Sequence, residues 1–169
     1  MQQMFRFMIA VAMAVALAQF SGDAAAQGAS NQVQLTAKQI DGFIAAQVDM
    51  AAVVEKMQSN ADDPKLQAEL ERIAKKNGFA SYQEYDDVVA TIDLVMYCID
   101  PQSKAFTEPK AVIMKDIEEV KNDKVTPEKE KKQILDDLNE QLKSAPTIQH
   151  PSNIELVTKY YDKIDAVRQ

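Results

Sequence analysis

The chain has 169 residues, of which 26 are acidic and 19 are basic, so its formal net charge at pH 7 is -7. An acidic surface repels phosphate backbones and anionic lipid headgroups, so nucleic acids and anionic membranes are poor candidate partners. The chain has a single cysteine and therefore cannot form an internal disulfide.

The first residues have the pattern of a secretory signal peptide. Arg6 precedes the apolar run "FMIAVAMAVALAQF" at residues 7–20, and Ala24, Ala25 and Ala26 form a small-residue cleavage site. A membrane anchor is the alternative, but a span needs ~20 apolar residues and this run is shorter. We therefore expect a signal peptide over residues 1–26 and a single helical domain over residues 27–169. After cleavage the protein would lie in the periplasm or outside the cell, without a stable membrane anchor.

The first two predicted helices have clear start signals. Thr36 and Gln39 form a capping box, and Leu35 is placed to pack on Ile40 as a hydrophobic staple. Asp63 followed by Pro64 predicts the start of the second helix. The apolar stripe of the first helix is predicted to contain Ile40, Phe43, Ile44, Val48, Ala51, Val54 and Met57.

A glycine separates the second helix from the third. Lys75, Lys76 and Gly78 are typical of a helix C-terminus, because cations favour the helix dipole there and glycine adopts the left-handed conformation. Ser81 with Glu84 then predicts the start of a third, strongly apolar helix.

The second half of the chain predicts three more helices. The fourth begins near Pro109, and the fifth begins with Thr126 as its cap and Pro127 in its first position. Ser152 and Glu155 form a capping box for the last helix. Short connections favour antiparallel neighbours, so we predict an all-α, compact bundle of about six helices, with the first and third at its centre.

Cys98 and His150 are the first candidates for chemistry. Cys98 lies at the C-terminal end of the predicted third helix, an apolar helix, with Asp100 nearby, and both features favour a neutral, buried thiol over a reactive one. An intermolecular disulfide through Cys98 is the alternative in an oxidising compartment. His150, the only histidine, lies in a proline-bounded loop without ligand spacing around it, so we interpret it as a loop residue.

Three acids repeat at seven-residue intervals along the third helix. Asp86, Asp93 and Asp100 share a side of that helix with Tyr97. Consecutive members are ~10.5 Å apart along the axis, too far apart to share one calcium ion easily. The sequence therefore indicates a solvated face, or else an isolated carboxylate bonded to Lys or Tyr across the bundle. We expect no metal site.

No catalytic motif stands out. The chain lacks G-x-S-x-G, H-E-x-x-H and C-x-x-C-H patterns. Carboxylates are so numerous that no pair can be singled out for acid–base work. Four methionines on apolar stripes are interpreted as core residues, so no cofactor is expected. They are Met50, Met57, Met96 and Met114.

Two resemblances are visible in the sequence. Leu35, Thr36 and Gln39 resemble the L-T-x-x-Q element at helix starts in Spy/CpxP-type periplasmic chaperones, and Val125, Thr126 and Lys129 resemble it loosely. Small secreted all-α bacterial proteins of unassigned function resemble most of the mature chain. The stretches that carry this likeness are residues 35–57, 75–102 and 153–167. The resemblance implies a fold and a compartment, and it implies no catalytic residue.

The leading hypothesis is a non-enzymatic periplasmic protein-interaction factor, chaperone-like or stress-related, present as a monomer or weak dimer with other periplasmic proteins as partners. The second hypothesis is a small-ligand binding module with a pocket between helices. Its proposed lining is Tyr85, Tyr97, Tyr160 and Tyr161. A carboxylate-based enzyme is the third.

Overall fold

The computed structural model describes residues 31–58 and 63–168, and the predicted signal peptide lies outside them. Six helices and no strand are present in these two ranges, which confirms the prediction of an all-α protein with about six helices. None of these helices is both long enough and apolar enough to cross a bilayer. The helices are α1 (Ala37–Met57), α2 (Pro64–Lys76), α3 (Tyr82–Tyr97), α4 (Pro109–Asn122), α5 (Glu128–Lys143) and α6 (Ser152–Ala166).

Three predicted helix caps are confirmed. The hydroxyl of Thr36 accepts a 3.2 Å hydrogen bond from the Gln39 N–H, and the Gln39 side chain accepts one from the Thr36 N–H. Asp63 accepts from the N–H of Lys65, and Ser81 accepts from the N–H three residues later. Each cap satisfies a backbone donor that the first turn of the helix would otherwise leave free.

Two predicted caps are wrong. The Thr126 hydroxyl donates to the carboxylate of Asp123 and does not cap α5, which begins at Glu128. Asp123 also accepts from the Val125 N–H, so Thr126 is held in a tight turn one residue before Pro127, which occupies the N-cap position. Ser152 is already the first residue of α6, and the helix start has no side-chain cap.

The joint between α2 and α3 forms as predicted around Gly78. Its φ of +92° is the left-handed conformation that glycine adopts most easily. The N–H of Phe79 donates to the carbonyl of Ala74, which closes the end of α2. Glu71 of α2 accepts a 2.7 Å bond from the Tyr82 N–H, so a side chain of one helix helps to cap the next.

The main core lies among α1, α2, α3 and α6. Helices α1 and α3 each pack on the other three, which confirms their predicted central position. Fully buried side chains in the two central helices include Ile40, Phe43, Val88 and Ile92.

Helices α4 and α5 form a hairpin with a smaller core of its own. This core consists of Ile113, Ile117, Val120 and Leu138. Tyr97, at the end of α3, packs against it and donates a 2.7 Å hydrogen bond to Asp116 of α4. The fold is therefore a four-helix bundle that carries a helical hairpin beside the C-terminal end of α3.

Candidate functional site

The four tyrosines proposed to line a ligand pocket divide between the two cores: Tyr85 and Tyr161 are buried in the main core with Tyr160 packed against it, and Tyr97 packs on the hairpin core. Tyr85 is buried beside Phe79, and its hydroxyl donates to the side chain of Gln47. Burial raises the pKa of the Tyr85 hydroxyl. Tyr97 packs on the hairpin core. The contacts of these two side chains thus belong to two different cores.

Tyr160 and Tyr161 lie on α6, and their contacts also differ. The Tyr160 hydroxyl is 3.5 Å from the carboxylate of Asp41, whereas the Tyr161 ring lies 3.6 Å below the ammonium of Lys104. A shallow depression of the described surface lies along the end of α5 and contains no tyrosine. Its lining residues are Asp137, Glu140, Gln141, Lys143 and Ser144. The structure does not bring the four tyrosines to this depression.

Cys98 caps the end of α3 and is 2 % exposed. Burial, with a smaller contribution from the Glu108 carboxylate, raises the pKa of its thiol to about 12. This environment is that of an inert buried cysteine. A disulfide between two copies would require the end of α3 to open.

His150 lies in the loop before α6, half-buried, with its Nε2 3.1 Å from the carbonyl oxygen of Gln32. The Gln32 side chain bonds the backbone of the same loop at Thr147 and Gln149. His150 therefore helps to hold the segment that leads into α1. Among the residues that the structure describes, no group of three or more His, Cys, Asp or Glu could hold a metal ion.

The three acids predicted along the third helix do not form one solvated face, and Asp100 lies beyond the end of α3 at Tyr97. Asp86 is exposed, and the Asp100 side chain accepts bonds from the Gln102 and Ser103 N–H groups. Asp93 has a buried carboxylate oxygen that forms an ion pair with Arg168. The solvated-face prediction was wrong for Asp93. The outcome is nearer to the alternative of a carboxylate bonded across the bundle, although the partner is Arg168, 75 residues away, and not Lys or Tyr.

A buried polar clamp around the segment before α1 has no clear sequence signal. Asn153 of α6 accepts from the Leu35 N–H at 2.9 Å and donates to the Val33 carbonyl at 2.8 Å. Thr91 of α3 accepts from the Val33 N–H. Asn153 and Thr91 are each 1 % exposed, so their polar atoms need partners within the protein. The backbone groups of Val33 and Leu35 provide them, and are themselves paired in return.

The most unusual surface is on α1. The sequence predicts Val48, Ala51 and Val54 on the apolar stripe that faces the core, but all three are exposed, Val48 by 74 % and Val54 by 46 %. The core takes a different set of side chains, which includes Ala46, Met50 and Val53. The prediction was therefore wrong for Val48, Ala51 and Val54. Helix α1 is apolar on more than one side, and the neighbouring helices cover only one of these sides.

Five apolar residues lie along one side of α1, which we call the α1 outer face, and Ile44 at its edge also packs against the main core. Four of them are exposed and Ile44 is half-buried. They recur at the three- and four-residue spacing that places side chains on one side of a helix. The α1 outer face consists of Ile44, Ala45, Val48, Ala51 and Ala52.

Acidic residues bound this face at both ends. Asp41 and Glu55 each lie seven residues from Val48, and seven residues are close to two full turns. Both residues therefore lie nearly in line with Val48 along the helix, and the Asp41 carboxylate also lies 3.5 Å from the Tyr160 hydroxyl of α6. The α1 outer face is an apolar strip between two negative charges.

Comparison of the chain with protein-family models, with curated proteins and with solved structures gave no match. The fold, compartment and role implied by the resemblances to periplasmic chaperones and small secreted proteins are therefore not tested by these comparisons.

Proposed function

We propose that this protein is an exported, non-enzymatic helical protein of the periplasm or cell exterior that binds other proteins in a chaperone-like or stress-related role. The observation that carries the proposal is the α1 outer face, where Val48 is 74 % exposed between exposed alanines. Exposed apolar surface rimmed by polar residues is a common feature of protein-interaction sites.

Exposure of this face brings no benefit to the isolated fold. Burial of apolar surface is worth roughly 25 cal/mol per Å², so a partner that covers Val48 and its neighbours gains free energy directly. The opposite side of α1 already supplies the core with Ile40, Phe43 and Val53. The outer face is therefore free to bind a partner without disturbing the bundle.

The two alternative functions have less support. A ligand pocket requires tyrosines that converge, and Tyr85 and Tyr97 pack in different cores. A carboxylate-based enzyme requires a pair of acids with a shared cleft. Asp93 contributes instead to an ion pair with Arg168.

Aggregation of a chemically unfolded client protein, followed by light scattering, tests the proposal. Wild-type protein should suppress aggregation without a cofactor. Val48→Asp should weaken suppression about tenfold, because docking would bury an unpaired charge.

Val125→Asp is the matched control, since Val125 is 78 % exposed in the turn before α5, away from the α1 outer face. It should suppress aggregation as well as wild type does. The proposal is wrong if wild type is inactive, or if the two variants lose activity equally.

A further inference from the structure

Resting on the proposed function, we propose that the α1 outer face binds one kind of partner, an amphipathic helix of another protein with a basic residue near each end of its apolar stripe. The length, the shape and the charge of the face each bear on this assignment.

The length of the face fits about four turns of a partner helix. Asp41 and Glu55 are fourteen positions apart on α1, which corresponds to about 21 Å along the axis. The apolar side chains between them recur at helical spacing, so the ridges of a second helix can pack into the grooves of α1. The small side chains of Ala45 and Ala52 beside Val48 allow close approach of that helix.

A helix suits this surface better than an extended peptide does. Extended segments bind to proteins chiefly by pairing with the free edge of a sheet or, when rich in proline, by docking in aromatic-lined grooves, and the α1 outer face has no aromatic residue. Residues 31–58 and 63–168 contain no sheet, and the backbone groups within α1 are used by the helix itself. Side-chain packing is therefore the available mode of recognition.

The charge of the face selects a basic partner. Asp41 and Glu55 lie nearly in line with Val48, whereas Lys56 is rotated about 80° from that line at the helical 100° per residue. Asp49, on the flank, forms a 3.5 Å ion pair with Lys76 of α2. The ends of the strip are thus acidic, and basic residues at matching positions of a partner would pair with them.

The same charges disfavour a second copy of this chain. An antiparallel pair of α1 helices centred on Val48 would place Asp41 of one copy opposite Glu55 of the other. A parallel pair would place each acid beside its own equivalent. Like charges at such positions are repulsive, and they also disfavour an anionic lipid surface.

Fluorescence anisotropy with labelled synthetic peptides of about 18 residues tests the inference. One peptide has a stripe of Leu and Ala with Lys two turns on either side of its centre, and a second has Glu at the same two positions. The Lys peptide should bind the mature chain at least about tenfold tighter, and added salt should reduce the difference. Val48→Asp should weaken binding of the Lys peptide about tenfold, and Val125→Asp should leave it unchanged.

A charge-removing variant isolates the electrostatic part. Asp41→Asn combined with Glu55→Gln should weaken the Lys peptide severalfold while leaving a third peptide, with Gln at both positions, unaffected. Both substitutions are on the exposed side of α1, and circular dichroism checks that the variants stay folded.

The possible outcomes separate this inference from the proposed function. If client protection depends on Val48 but the Lys and Glu peptides bind equally or not at all, the basic-helix assignment is wrong and the proposed function stands. If neither a client nor a peptide depends on Val48, both fail. A Val48-dependent dimer in sedimentation analysis, or Val48-dependent binding to phosphatidylglycerol vesicles, would also overturn the assignment.

Discussion

Arg168, which follows α6, forms an ion pair with Asp93 on α3, and its guanidinium carbon lies 5.5 Å from the centre of the Phe43 ring on α1. One side chain therefore connects three helices of the bundle. The Arg168 side chain is 26 % exposed and that of Asp93 is 30 % exposed. Burial lowers the pKa of the guanidinium, and the Tyr85 hydroxyl partly offsets this. The pair gives Asp93 a structural role.

Removing the cation should leave Asp93 uncompensated. Arg168→Ala is expected to lower the free energy of unfolding by about 1–3 kcal/mol, because a buried carboxylate oxygen loses its partner and Phe43 loses a packing contact. Urea denaturation followed by circular dichroism measures the change.

Arg72→Ala is the control for that experiment, since Arg72 is 65 % exposed in a 3.8 Å surface pair with Glu69. Exposed pairs contribute little, so its effect should stay within about 0.5 kcal/mol. Equal effects of the two substitutions would mean that the Asp93 pair is not structurally important.

The interior of α1 should not tolerate a side chain at position 42. A Cβ on Gly42 would lie 2.5 Å from the Asn77 carbonyl oxygen and 3.1 Å from the Phe79 ring. Gly42→Ala would normally stabilise a helix, but here it forces the end of α2 away from α1 and should cost about 1–3 kcal/mol. A shift of the thermal midpoint to higher temperature would contradict the close approach of the two helices.

The clamp around the segment before α1 should depend on Asn153. Asn153→Ala removes the partners of the Leu35 N–H and the Val33 carbonyl, so we expect a loss of about 1–3 kcal/mol. In Asn153→Ala, hydrogen exchange at the Leu35 amide should become faster than in wild type, and exchange at the core amides of α3 should change less. Asn122→Ala, which removes an exposed bond to the Glu118 carbonyl, should leave this exchange unchanged. Unaltered exchange at Leu35 in Asn153→Ala would show that the clamp does not hold the segment.

Stability should fall at alkaline pH through Cys98. The folded protein raises the pKa of this thiol from 9.0 to about 12, so between these values the unfolded chain releases a proton that the folded chain retains. Stability is therefore unaffected by this group below pH 9 and decreases by about 1 kcal/mol per pH unit above it. Burial also raises the pKa values of Tyr82 and Tyr85, which adds to the decrease.

Urea midpoints measured near pH 8 and near pH 10.5 test this dependence. The decrease between them should be smaller in Cys98→Ala than in wild type. A thiol reagent should label Cys98 only after the protein unfolds, because the side chain is 2 % exposed in the folded state. Rapid labelling of the folded protein would contradict the buried environment.

Local sequence determined where three of the six described helices begin and where α2 ends. The caps at Thr36, Asp63 and Ser81 and the left-handed turn at Gly78 depend on groups within a few residues of each other. The chain can therefore specify them before any long-range contact exists. The caps at Thr126 and Ser152 failed, because Pro127 occupies the N-cap position of α5 while Thr126 bonds Asp123 in the preceding turn, and Ser152 already lies in the first turn of α6.

Tertiary structure decided which apolar side chains are buried. The sequence places apolar residues around much of α1, and nothing local distinguishes Val48 from Val53. The positions of α2, α3 and α6 bury Val53 and leave Val48 exposed. Likewise, the pairing of Asp93 with Arg168 spans 75 residues and depends on how α6 crosses α3. Periodicity specifies that a helix has an apolar side, but which side becomes core depends on which neighbours arrive to cover it.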